Sequence, residues 1–181
     1  MTEQTKATLV LEDGSRFEGV SFGYEHPCAG EVVFNTAMTG YPESLTDPSY
    51  EGQILVTTYP ILGNYGVPSA GIKGADGVSE YFESDRIHCE AIICQEYSDE
   101  PSHWQSERPL SEWLKEEKRV GLYGIDTRRL TKLLREKGSM LGKIVFGNDD
   151  EIDFKDPNTE NLIAKVSTKE VRTFGDGDKH V

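Results

Sequence analysis

Short strand-like runs separated by turn residues fill the first half of the chain, and helical patterns appear only in the second half. In ATLVLEDGSRFEGVSFG, residues 7–23, the Asp13-Gly14 pair suits the positive φ angles of a tight turn and predicts a β-hairpin. Buried strands are predicted at EVVFN (31–35), QILVTT (53–58), RIHCEAIICQE (86–96) and Met140 to Phe146. The sequence therefore predicts a β-rich α+β domain over about residues 6–147.

Two helices are predicted after these strands. In PLSEWLKEEK, residues 109–118, leucine and tryptophan at i, i+3 and i+4 form one apolar face. In GIDTRRLTKLLREKG, residues 124–138, Asp126 is a natural N-cap whose carboxylate can accept a backbone N–H of the first turn. Ile125 and Leu130 flank this cap as a hydrophobic staple, and the closing glycine suits the C′ position.

Composition narrows the function classes. The 181 residues carry a formal net charge of −13, which disfavours attraction to nucleic-acid phosphates and to anionic membrane surfaces. The three cysteines are an odd number without paired spacing, so no disulfide framework is predicted and a reducing setting fits best. The N-terminus has no apolar signal region, and no segment reaches membrane-spanning length. We predict a cytoplasmic protein with no nucleic-acid or membrane partner.

The segment TGYPESLTDPSYEGQ, residues 39–53, concentrates turn chemistry between two predicted core strands. Long irregular loops in compact domains are usually either disordered or functional, and the aromatic residues and leucine of this loop argue against disorder. We expect the loop to be ordered and functional. Taken alone, Ser49 after Asp47-Pro48 is most simply a turn or cap serine.

The remaining polar residues form no predicted catalytic or metal site. His88, Cys89 and Cys94 do not have zinc-site spacing, and strand alternation would send the first two to opposite faces. GIKGADG, residues 71–77, lacks the strand–loop–helix context of a phosphate-binding loop. Asp126 and Arg128 are charged residues that could belong to a site, but the cap role already accounts for Asp126. The other residues considered have only structural or loop interpretations: Cys28, His26, His103 and His180.

Three segments of the chain carry a resemblance to a known family. GEVVFNTAMTGYPESLTDPSYEGQILVTTYPILGNYG, residues 30–66, resembles the hallmark segment of the small, glutamine-hydrolysing chain of carbamoyl-phosphate synthetase. The hairpin LVLEDGSRFEG and the helix GIDTRRLTKLLREKGSM match the same family in the same order. The resemblance covers about residues 7–174.

The resemblance implies both a fold and a function. It implies a three-layer β/β/α domain at residues 1–147, followed by a linker at 148–181 that leads to a class I glutamine amidotransferase domain. In that second domain a histidine-activated cysteine attacks the glutamine amide. The ammonia passes to a large chain, which uses ATP, magnesium and bicarbonate to make carbamoyl phosphate for arginine and pyrimidine synthesis. The N-terminal domain docks on the large chain, and its loop serine, Ser49 here, reaches the glutamine.

The chain stops at Val181, before any nucleophile elbow or catalytic histidine of that second domain. We therefore expect residues 1–181 to have no catalytic residue, metal or cofactor of their own, and to be inactive as a glutaminase without the rest of the enzyme. The alternative is a stand-alone interaction module without any glutaminase domain. A reading frame that continues into a Gly-x-Cys-x-Gly segment would favour the enzyme.

Overall fold

Seven strands close into a barrel. The computed structural model describes residues 4–148, 152–173 and 175. The barrel strands are β1 (Lys6–Leu11), β2 (Arg16–Ser21), β3 (Cys28–Asn35), β4 (Gln53–Thr57), β6 (Ala91–Ile93), β8 (Val120–Tyr123) and β9 (Met140–Val145). Around the barrel they follow the order β1-β2-β8-β6-β4-β3-β9. Two further strands, β5 (Ile61–Leu62) and β7 (Glu96–Tyr97), form a small parallel pair beside it.

The hairpin predicted at the N-terminus is confirmed. Strands β1 and β2 pair antiparallel. Gly14 adopts φ 85° in the turn, and the Asp13 carboxylate accepts a hydrogen bond from the Ser15 backbone N–H at 2.8 Å. The Asp-Gly pair thus has the local role that the sequence indicates.

Four neighbouring strands, β3, β4, β6 and β8, run parallel to one another. All seven barrel strands contribute to one apolar cluster inside the barrel, which also receives Leu130 and Leu134. A second cluster covers the other face of β4 and β6, where Leu55 and Ile92 meet Leu114. Strands buried on both faces read as continuous apolar runs, and this is why residues 54–56 of β4 and all three residues of β6 are apolar.

Four α-helices lie in the described part of the chain: α1 (Tyr41–Thr46), α2 (Leu110–Glu116), α3 (Thr127–Lys137) and α4 (Leu162–Val166). The two helices predicted from the sequence correspond to α2 and α3. The Asp126 side chain accepts the Arg129 backbone N–H at 2.9 Å, so the predicted N-cap is confirmed. Ile125 and Leu130 are both buried in the interior cluster, as the staple requires.

Some of the local predictions were wrong. Strand β8 was not predicted, although it joins β6 to β2. Residues 86–96 do not form one strand: β6 covers only Ala91–Ile93, and His88 and Cys89 precede it. The predicted irregular loop contains α1 and a 3-10 turn, Pro48–Tyr50.

The predicted linker also contains ordered structure. A 3-10 turn covers Pro157–Thr159, and Pro157 is buried. The Lys143 Nζ donates to the Ile152 carbonyl at 2.9 Å, which holds the start of this segment against β9. Of the last seven residues, GDGDKHV, only Gly175 is described, so His180 lies outside the described residues.

The α+β class is confirmed in its broad form, since the fold mixes helices with a closed sheet. The three-layer arrangement and the boundary at residue 147 stay predictions. None of the helices in the described ranges combines the length and apolar character needed to cross a bilayer.

Replacing the N-cap of α3 should weaken the fold. Asp126→Ala is expected to lower the free energy of unfolding by roughly 0.5 to 2 kcal/mol, because the first-turn N–H loses its acceptor. Asp126→Asn, which keeps a cap oxygen, is the control and should lose much less. Denaturant unfolding measures both. Equal losses in the two variants would contradict the cap assignment.

Candidate functional site

The Ser49 hydroxyl lies on the exposed surface of a tight turn. The Asp47 Oδ1 accepts two hydrogen bonds from Ser49, one from its backbone N–H at 2.8 Å and one from its Oγ–H at 2.6 Å. Pro48 occupies the first position of the 3-10 turn, where its fixed φ is suitable and its missing N–H is not needed. The side chain of Ser49 is exposed, so its oxygen lone pairs are open to a ligand.

The chain before this turn is fixed by the short helix α1. The Thr46 hydroxyl donates to the Pro42 carbonyl at 2.8 Å and accepts the Glu83 backbone N–H at 2.9 Å. The Ser84 hydroxyl donates to the Thr46 carbonyl at 2.7 Å. Leu45 is fully buried in the second cluster. The helix is thus held both by packing and by the segment that contains Ser84.

A polar network fixes the chain after the turn. The His88 Nδ1 lies 2.6 Å from the Glu51 Oε2 and donates to it, because an ionised carboxylate only accepts. The Arg86 Nη2 donates to the same oxygen at 3.1 Å. The His88 Nε2 lies 2.9 Å from the Ser84 Oγ. The His88 side chain is only 4% exposed, so these bonds are shielded from water and hold their geometry.

Gly52 brings two other parts of the chain close to the turn. Its φ is +76°, and a Cβ built there would lie 2.9 Å from the Pro157 Cβ. Its carbonyl oxygen would overlap a Cβ built on Gly30, so neither position accommodates a larger residue without movement. The segment that follows β9 therefore returns to the start of β4, next to the turn that contains Ser49.

The segment after the barrel repeats the geometry of the Ser49 turn. In Asp156-Pro157-Asn158, the Asp156 Oδ1 accepts from the Asn158 backbone N–H at 2.9 Å and from its Nδ2 at 3.0 Å. Asn158 is exposed, as Ser49 is. The two Asp-Pro-x turns differ in the side chain that they display, which provides a matched control for the experiments below.

Tyrosines support the other side of the loop. The Tyr65 hydroxyl accepts the backbone N–H groups of Gly40 and Tyr41 at 2.8 and 3.0 Å, and the rings of Tyr41 and Tyr65 stack with centroids 4.2 Å apart. Burial raises the pKa of Tyr65 to about 12, and it also raises the pKa of Tyr41. Both hydroxyls therefore stay neutral near pH 7 and act as structural hydrogen-bonding groups.

The cysteines have the character of core residues. Cys28, Cys89 and Cys94 are buried and unpaired by disulfides. Burial raises the pKa of the Cys89 thiol to about 12, and it also raises the pKa of the Cys28 and Cys94 thiols. A thiol with a raised pKa is a poor nucleophile near neutrality.

The other predicted candidates do not assemble into a site. His26 and His103 contact aromatic rings, Tyr24 and Tyr65 respectively. In the described part of the chain, no three His, Cys, Asp or Glu residues are grouped so as to hold a metal ion. The strand-alternation argument for His88 and Cys89 was wrong, because neither residue lies on a strand and both side chains are buried.

The sequence analysis missed His88 and Glu51 as partners. They lie 37 positions apart in the chain, and no local pattern links them. The available signal was that His88 stands beside an apolar run. A histidine buried there needs a hydrogen-bonding partner.

Comparison with known proteins gives the family. The family described as "Carbamoyl-phosphate synthase small chain, CPSase domain" matches residues 9–144. The chain is 55% identical over 172 residues to the multifunctional protein pyr1-3 of Dictyostelium discoideum, covering 93% of this chain and 8% of that protein. It is 51% identical to the mouse (Mus musculus) protein named carbamoyl-phosphate synthase [ammonia], mitochondrial, covering 95% of this chain and 11% of that protein.

A third relative is a separate small chain. The chain is 47% identical over 165 residues to the carbamoyl phosphate synthase arginine-specific small chain of Saccharomyces cerevisiae, with 91% of this chain and 40% of that protein covered. This chain thus corresponds to a minor part of each of these longer relatives. With a family match over most of its length, the chain belongs to the carbamoyl-phosphate synthase small chain family.

The buried thiols should be inert in the folded protein. At pH 8, an aromatic disulfide reagent is expected to label the cysteines only as fast as the protein opens, because burial keeps them protonated. Adding denaturant should expose all three thiols at once. Absorbance of the released thiolate follows the reaction. One thiol that reacts rapidly without denaturant would contradict this view.

Proposed function

We propose that this chain is the N-terminal domain of the small chain of a glutamine-dependent carbamoyl-phosphate synthetase. In this proposal it docks on the large chain and supplies Ser49 to a glutamine site shared with a class I amidotransferase domain. The complete enzyme makes carbamoyl phosphate from glutamine, bicarbonate and ATP, for arginine and pyrimidine synthesis. ATP and magnesium are used by the large chain, and this domain holds no cofactor of its own.

The single observation that supports this role most is the exposed Ser49 hydroxyl on a turn fixed on both sides. A substrate-binding group is effective when its position is set before the ligand arrives. Here Asp47 orients the hydroxyl, and partly buried hydrogen bonds fix the flanking residues. Turns that serve only as connections have no need of this degree of support.

The chemistry of glutamine suits such a hydroxyl. A free amino acid presents an ammonium and a carboxylate, and a serine oxygen can accept from the first or donate to the second. In the orientation described, the Ser49 proton is directed at Asp47, which leaves lone pairs for an ammonium. Rotation of the hydroxyl away from Asp47 would allow donation to a carboxylate.

The position of the turn also fits a site between two domains. The segment after β9 passes Gly52, three residues beyond Ser49. The relatives are longer than this chain, and an amidotransferase domain joined through this segment would lie near the same edge. The three-layer description of the fold and a cytoplasmic location are part of the same proposal.

A second candidate concerns the nitrogen donor. The name of the mouse relative specifies ammonia, and that protein is as similar to this chain as the others are. An ammonia-dependent enzyme would have no use for a glutamine contact, and Ser49 would then serve only the turn. The kinetic experiment that follows distinguishes the two.

Removing the Ser49 hydroxyl should weaken glutamine use selectively. A hydrogen bond to a charged group contributes about 1.5 to 3 kcal/mol, so Ser49→Ala in the complete enzyme should raise the glutamine KM roughly 10- to 100-fold. The kcat should change little, because the contact is remote from the scissile amide and is similar in the ground and transition states. Activity with ammonium should be retained. Steady-state kinetics with each nitrogen donor measures these values.

Asn158→Ala is the matched control, since it truncates the corresponding side chain in the second Asp-Pro-x turn. It should leave the glutamine KM unchanged. A Ser49→Ala enzyme with a normal glutamine KM and a lowered melting temperature would mean that the hydroxyl only stabilises the turn. An enzyme that uses ammonium but never glutamine would support the second candidate.

A further inference from the structure

His88 contacts the Ser49 segment on both sides of the serine. Its backbone N–H donates to the Leu45 carbonyl at 2.9 Å, four residues before Ser49. Its carbonyl accepts the Gly52 backbone N–H at 3.2 Å, three residues after Ser49. One residue thus connects the two ends of the segment that carries Ser49, the proposed glutamine-binding residue.

The His88 side chain repeats this bridge with its two ring nitrogens. Nδ1 donates to the Glu51 carboxylate at 2.6 Å, on the side after Ser49. Nε2 lies 2.9 Å from the Ser84 Oγ, which donates to the Thr46 carbonyl at 2.7 Å on the side before Ser49. The ring therefore contacts Glu51 directly on the side after Ser49, and on the side before it contacts the Ser84 hydroxyl that lies against the Thr46 carbonyl.

Burial makes this bridge stiff. The ring is 4% exposed and Glu51 is 12% exposed, so water cannot readily replace their bond. Arg86 donates to the same Glu51 oxygen and limits its movement further. A histidine that served only the core would not need polar contacts directed at both sides of one surface turn.

We propose that His88 is a positioning residue for glutamine use, which sets the distance and orientation of Ser49 through Glu51 on one side and Ser84 on the other. This inference rests on the proposed function. It adds that the glutamine affinity depends on a buried side chain that does not touch the substrate. Misplacement of a substrate-holding group by about 1 Å can change the rate roughly 100-fold, so a loosened turn should have a measurable effect.

Single substitutions separate the two arms of the bridge. In His88→Gln the amide can occupy the position of Nε2, so the Ser84 contact is kept and the Glu51 bond is lost. In Ser84→Ala the relayed arm is lost and the Glu51 bond is kept. Each variant, made in the complete enzyme, should raise the glutamine KM about 10-fold, no more than the roughly 10- to 100-fold expected when the Ser49 hydroxyl itself is removed. In His88→Asn the amide can occupy the position of Nδ1. This variant should therefore regain much of the Glu51 bond that His88→Gln loses.

Two readouts separate positioning from general destabilisation. The ammonium-dependent rate should stay unchanged in all three variants, because ammonium bypasses the glutamine site. Asp126→Ala, which removes a helix cap away from the turn, is the destabilised control and should leave the glutamine KM unchanged. If His88→Gln does not fold, Ser84→Ala, which is the smaller substitution, still tests whether the bridge positions Ser49.

A double-mutant cycle tests whether His88 acts through Ser49. Once Ser49 has been changed to Ala, adding His88→Gln should raise the glutamine KM no further, because the positioned group is gone. Normal glutamine KM values in both His88→Gln and Ser84→Ala, next to a raised value in Ser49→Ala, would overturn this inference and leave the proposed function standing. A normal value in Ser49→Ala would overturn the proposed function, and the inference with it.

Discussion

Closure of the barrel by β8 is the constraint on which the rest of the structure depends. This strand pairs parallel with β6 and antiparallel with β2, and without it the sheet has two open edges. Closure buries the apolar faces of all seven strands in one interior cluster. It also fixes the relative positions of the starts of β4 and β6, where the Glu90 backbone N–H donates to the Gln53 carbonyl at 2.8 Å. The Ser49 turn lies directly before β4, so the residues that join the turn to β4 are anchored to the barrel.

The Ser49 turn is held in a defined position because it is attached to the edge of the barrel where β4 and β6 begin. Residues 45–52 lead from the end of α1 to the start of β4, and the segment 84–90 runs beside them, with His88 in contact with both ends. Functional groups held by packed, hydrogen-bonded neighbours lose little entropy when a ligand binds. The fold thus places an exposed hydroxyl on a partly buried support that is hydrogen-bonded on both sides of it. The proposed glutamine contact and the proposed role of His88 both follow from that support.

Local signals in the sequence predicted those features that local chemistry determines. The Asp13-Gly14 hairpin and the Asp126 cap depend on neighbours within a few residues, and both were found. Strand β8 was missed because VGLY is short and contains a glycine, and its stability comes from partners distant in sequence. The His88–Glu51 bond was missed for the same reason. The resemblance is the source of the Ser49 assignment, which stays a prediction, whereas the two-sided support of the turn required the folded chain, since its contacts cross about 35 positions or more.

A structure of the complete enzyme with glutamine trapped in its site tests the central claim most directly. The account predicts the Ser49 Oγ within hydrogen-bond distance, about 2.5 to 3.2 Å, of the ammonium or carboxylate of the bound amino acid. It also predicts that the Glu51–His88–Ser84 chain of contacts is retained in the complex. A bound glutamine whose charged groups lie well beyond that distance from Ser49, with the turn unchanged, would contradict it.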